Sequence, residues 1–310
     1  MRTDRAQRRP EIDRLATLAE TLATLLEAGI GPAPAWSYLA ESTDDPFAAS
    51  VGRGITSGDT VVCAIMSGRD DPPPRVREAR AALAAVWWVA TESGSPLADC
   101  LRACGESFHR QGDTERDIAV ALAGPVLTAR MVSFLPLVGL LFGMALGFDT
   151  LGTLTGNPVG WALLSGGALL MGLGAAWNRR LSHRATPSGS APAIELELLA
   201  MALAGGAAIS VAREVVADAC RRFLSGGRDS VPAIERVLEL SARAGIPAGA
   251  LLRSEADRGR RESRSAGQAA AASLAVRLML PLGLCVLPAF MLLGVAPLLL
   301  AIVSSTFESL

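Results

Sequence analysis

"LLEAGIGPAPAWSYLAES", residues 25–42, reads as two helices joined by a corner. Leu22, Leu25 and Leu26 form a helical apolar face. Gly29 and Gly31 can take the turn that ends it, and Pro32 and Pro34 suit the first turn of the next helix. A related corner returns downstream as "LAGGAAISVAREVVADA", residues 203–219, which sets Gly29 over Gly206. A second pair of segments also aligns. "TESGSPLADCLRACGE" (91–106) falls on "ARAGIPAGALLRSEAD" (242–257), with Gly94 over Gly245, Pro96 over Pro247 and Leu101 over Leu252. In both, a helix stops at glycine and a proline opens the next. Internal duplication accounts for the two alignments together, with a shorter segment between the corners in the second repeat. Gly29, Gly31, Gly94, Gly206 and Gly245 are therefore read as structural turn residues, not as ligands.

Around these corners Ala, Leu, Arg and Glu dominate, and no alternating Val/Ile/Thr pattern marks a strand, so the expected class is all-α. "SGRDDPPPRVRE" and "RRFLSGGRDSVP" are breakers, the latter with Asp229 or Ser230 placed to cap the helix entered at Pro232. The 310 residues are 50% apolar and 19% charged, too apolar for an ordinary soluble domain and too charged for a chain of spanning helices alone. The formal net charge of -1 offers nothing to nucleic acid.

Three windows lack charge: "MVSFLPLVGLLFGMALGF" after Arg130, residues 151–178, and residues 278–307. Each is long enough to suggest a bilayer crossing of about 20 residues. Arginines flank one side of each window: Arg110, Arg116 and Arg130; Arg179, Arg180 and Arg184; Arg261, Arg264 and Arg277. The positive-inside rule then expects a multi-pass membrane protein with its N-terminus cytoplasmic and its C-terminus external. The expected organisation is a cytoplasmic helical domain over 1–125 and a transmembrane hairpin over 126–178, with spans at about 128–149 and 157–178. A second cytoplasmic helical domain follows over 179–275, then a third transmembrane helix over 276–304 and a short external tail, 305–310. The fold expected is thus an integral membrane protein with three transmembrane helices and two related cytoplasmic helical bundles.

Chemistry is sparse. His109 and His183 are the two histidines, and Cys100 and Cys104 sit one helical turn apart without a second pair to complete a metal site. Walker A, paired-cysteine and nucleophile-elbow motifs are absent. No catalytic, cofactor-binding or metal-binding residues are assigned, and the chain is read as a non-enzyme without cofactors. Two helix faces are charged: Glu92, Asp99 and Arg102 in the first region, and Arg253, Arg258, Arg260 and Arg261 in the second.

"LATLLEAGIGPAPAWSYLAE" and "ATESGSPLADCLRACGESF", with "FLPLVGLLFG" beyond them, resemble the type II secretion system F family, which includes the platform proteins of secretion systems, type IV pili and Tad (Flp) pili. The chain's size and compact first hairpin look closer to the TadB/TadC type. The second repeat departs from the pattern, with Arg243 where the first has Glu92. The resemblance implies a platform in the bacterial cytoplasmic (inner) membrane that couples a cytoplasmic secretion or pilus ATPase to assembly of pilin or pseudopilin. Its implied partners are that ATPase, the pilin, a second platform protein or itself as an oligomer, and membrane lipid, but no nucleic acid. The resemblance also makes Glu92, Asp99 and Arg102, and Arg253, Arg258, Arg260 and Arg261, the candidate partner contacts. The alternative is a subunit of a small-molecule channel or exporter with regulatory helical domains. Against that reading, no ionisable residue sits in mid-window.

Overall fold

The computed structural model describes residues 9–68, 72–145, 158–184, 191–224, 230–277, 280, 282–297 and 299. Among the described residues every regular element is helical. In chain order they begin with α1 (Arg9–Glu27), α2 (Pro32–Ser42), α3 (Pro46–Thr56), α4 (Val61–Met66), α5 (Pro74–Ser93) and α6 (Leu97–Ala145). There follow α7 (Pro158–Arg184), α8 (Ala191–Ala204), α9 (Ile209–Phe223), α10 (Val231–Ala244), α11 (Ala248–Arg277) and α12 (Leu287–Phe290), the last flanked by π-helical turns Leu282–Val286 and Met291–Val295. The chain divides into two compact units. One comprises Met1–Glu115 with Gly189–Arg264, the other Arg116–Ser188 with Ser265–Leu310.

The first unit contains both repeats. Helix α1 buries Leu15, Leu18, Ala19, Leu22 and Ala23, and α2 buries Ala35, Trp36 and Leu39. Fully buried Trp36 meets the edge of Phe47 at 6.2 Å between ring centroids and Trp87 at 6.1 Å. Buried side chains of this size each stabilise by roughly 1.5–3 kcal/mol through area removed from water. Helix α3 begins at Asp45, whose carboxylate accepts from the Phe47 and Ala48 amides at 2.9 and 3.1 Å. Helix α5 packs against α4, α8 and α9 and is buried on almost every side.

The corners repeat in detail. Gly29 and Gly206 have φ of 84° and 83°, and Gly94 and Gly245 both have φ 68°. These are left-handed backbones that L residues resist, and each ends a helix. Gly31 instead has φ -64° and ψ 156°, an ordinary extended entry to α2. The hydrogen bonds repeat too: the Ala35 amide donates to Gly31 O and the Ala212 amide to Ala208 O, both at 2.9 Å. Burial follows the same two offsets. Leu22 and Leu199, Ala23 and Ala200, Ala35 and Ala212, Leu39 and Val216, and Leu101 and Leu252 are all buried. At the second breaker, Ser230 occupies the N-cap position of α10 but turns its hydroxyl to Glu195 instead of capping. Asp229 lies outside the described residues.

In the second unit small residues permit close helix approach. A Cβ at Gly139 on α6 would lie 3.0 Å from the Phe290 ring and 3.5 Å from Gly294 Cα, and one at Gly167 would strike Leu293. Pro288 has no amide to return to the preceding turn, and the backbone around it widens into π turns.

The expectation of three transmembrane helices and a multi-pass inner-membrane topology is overturned. Among the described residues one helix is long and apolar enough to cross a membrane, Pro158–Trp177 within α7. Only 17% of that stretch is buried. The described part of α6 beyond Arg130, Met131 to Ala145, does not pass the same test of length and apolarity. In the third window the described apolar helix, Gly283–Val295, is shorter than a crossing needs and contains π turns. Lack of charge and continuous apolar helix are different properties, and around Pro288 the helix widens into π turns. Residues 149–157 of the 149–158 loop expected outside, and the tail 305–310, lie outside the described residues.

Candidate interaction surface

The corners place the charged candidates on the first unit. Glu92 is exposed in the last turn of α5, and Asp99 is exposed in the first turn of α6. Arg102, one turn on, bridges to Glu27 of α1 at 2.5 Å and to Asp99 at 3.4 Å. Its guanidinium pKa is held up mainly by the hydrogen bond to Glu27. Arg253 occupies the position of Arg102 in the second repeat, but Ala204 stands where the first repeat has Glu27. Arg253 is exposed and makes no ion pair among the described residues. Arg258 pairs with Glu262 at 2.9 Å and Glu255 at 3.9 Å, whereas exposed Arg261 makes no ion pair among the described residues.

Arg260 differs from its neighbours. Its two terminal nitrogens bind Glu197 of α8 at 2.6 Å and Asp257 at 2.7 Å, and its side chain is only 20% exposed. Burial pushes the Glu197 carboxyl above its ordinary value despite the opposing attraction of Arg260. The same arginine, hydrogen-bonded to the more open Asp257, lowers that carboxyl instead. The two carboxylates move in opposite directions because one is desolvated and the other is not. Arg260 thus joins α8 to α11.

The pair has a counterpart that sequence reading missed. The offsets that superimpose the corners carry Glu197 onto Glu20 and Arg260 onto His109. In the structure His109 Nε2 lies 3.4 Å from Glu20 Oε1. The same latch, acid on the first helix of the repeat and base on the last, is buried in one repeat and half-exposed in the other. Extending the alignment a few residues beyond each corner exposes it. The side chain of His183 lies outside the described residues.

Cys100 and Cys104 are buried free thiols on α6. Burial, with a smaller contribution from Asp99, pushes Cys100 up to about 11, and Arg253 partly offsets this. Burial raises Cys104 further still. Among the described residues no group of three or more His, Cys, Asp or Glu side chains could hold a metal ion. Of the candidate arginines, Arg253 and Arg261 are open, and Arg102, Arg258 and Arg260 are engaged in ion pairs.

Residues 18–145 match the family of the type II secretion system (T2SS), protein F. The match begins inside α1 and ends with α6, and so covers the first repeat and the α6 extension. It supports a non-enzymatic assembly role in secretion or pilus machinery at the level of the family. No curated protein and no solved structure matches the chain.

Proposed function

We propose that this chain, a type II secretion system F protein over residues 18–145, is a platform that couples a secretion or pilus ATPase to assembly of pilin or pseudopilin subunits. The family match carries the reading, and the open arginines of the second repeat suggest where the ATPase binds. Arg253 and Arg261 have no intramolecular ion partner among the described residues, so pairing them with an external acidic surface breaks nothing already formed. Arg260 has both forks occupied and is a structural residue in this scheme. No structural observation favours the channel reading over this one.

The test is co-purification of the full-length chain from native membranes in mild detergent. Wild type is expected to bring down a secretion-type ATPase, and R253E/R261E is expected to lose it while accumulating normally. Equal recovery by both proteins would remove these arginines from the contact. Absence of any secretion ATPase from the wild-type preparation would remove the coupling role.

A further inference from the structure

The two repeats of the first unit meet through unlike faces, and each face has an unused counterpart. The first repeat contributes α5 and the corner after it: Ser95 Oγ donates to Met201 O at 2.7 Å. The second contributes α8, α9 and the corner at Gly205, where an added Cβ would lie 2.8 Å from Ser95 Cα. Trp88 completes the contact, 6.2 Å from the Phe223 ring with Arg222 stacked over it at 4.8 Å. A two-fold arrangement would bring the equivalent of Ser95, Ile246, against the equivalent of Gly205, Ala28. Instead Ile246 is 45% exposed and Ala28 is also exposed. The contact is heterologous, and a heterologous contact between like modules leaves one complementary face open at each end.

Both open faces carry exposed apolar side chains whose counterparts in the other repeat are buried or packed against the core. Leu240 is 52% exposed where its counterpart Val89 is 0% exposed, and Ile246 replaces Ser95, which is 7% exposed. On the other face Tyr38 is 56% exposed, whereas its counterpart Val215 packs against the core. We infer that a second molecule of this chain docks head-to-tail, its Gly29 corner and Tyr38 against the Gly245 corner, Leu240 and Ile246 of the first, repeating between molecules the contact made within one. Glu239 stands in the place of Trp88, so this contact lacks the indole stack and is the weaker of the two. Association is therefore concentration-dependent. The inference rests on the internal contact and is independent of the ATPase reading.

Full-length protein carrying C63S, to remove the exposed thiol, is made with either I246C or A28C. The two are mixed in mild detergent and oxidised. The close approach of Gly205 to Ser95 implies that these new thiols lie within disulfide reach. A cross-linked dimer is expected in the mixture and absent from either variant alone. Light scattering should further give a mass that rises with concentration for wild type and stays at one chain for L240R/I246R. Both substitutions are at exposed sites, and an unchanged melting temperature verifies the fold. No cross-link in the mixture, equal cross-linking of I246C by itself, or an L240R/I246R mass equal to wild type would each overturn the head-to-tail contact.

Discussion

Gly94 and Gly245 share one backbone conformation, φ 68° and ψ 21°, and each hands its helix to a proline-started successor. An alanine there keeps the chain but meets the left-handed penalty of roughly 1–2 kcal/mol. G94A and G245A are each expected to lower stability by about that amount, read by thermal unfolding; G31A, at an extended backbone, should cost far less. Glu197 gives a residue-scale prediction with a sign. Its carboxyl is raised in the fold by burial, so the folded state holds the proton more tightly than the unfolded chain. That contribution is fully present below the unfolded value, about 4.3 for glutamate, and is lost as pH rises through the folded one. Asp257 runs the other way, its lowered carboxyl contributing stability that is lost as pH falls. In E197Q the decline on the rising side should vanish while the acid loss from Asp257 persists, as measured by denaturant midpoints across the acid range. Cysteine reactivity should follow burial as well. A maleimide is expected to label Cys63 at once and Cys100 and Cys104 only on unfolding.

At the scale of elements, α3 depends on its cap and α8 on its latch. The Asp45 carboxylate satisfies two otherwise free amides of α3, and D45A is expected to cost about 1 kcal/mol. R260M is expected to cost more, on the order of 3–5 kcal/mol, because it leaves Glu197 charged, buried and unpaired. The double change R260M/E197L should recover most of that loss; a double variant as weak as R260M would mean that the pair does more than hold α8 to α11. The alternation of helix and corner was legible from glycine and proline positions, since those residues restrict backbone dihedrals locally. The alignment sets Glu20 over Glu197 and His109 over Arg260, but that each acid meets its base was not legible, because each pair joins helices far apart in sequence and a charged residue reads the same on either face.

For the whole molecule, the membrane expectation marks where composition misleads. Charge-free windows were visible at 131–148, 151–178 and 278–307, yet among the described residues only Pro158–Trp177 forms a helix of sufficient length and apolarity. Proline in the last window produces π turns, which no charge count registers. The arginines give the converse case. Five arginines of similar appearance on two helical faces separate into a buried strut at Arg260, paired surface groups at Arg102 and Arg258, and open sites at Arg253 and Arg261.

The sequence by itself determined that the chain is helical, that its corners recur, and that its first repeat resembles the type II secretion F proteins. Each of these follows from local chemistry: the dihedral freedom of glycine, the missing amide of proline and the spacing of apolar side chains along one helix. Only the tertiary structure decided that the repeats meet through unlike faces, that Ser95 closes on Gly205, and which arginines are already paired. These depend on contacts between residues about a hundred positions apart, where geometry and desolvation select among many pairings that the linear pattern leaves equal.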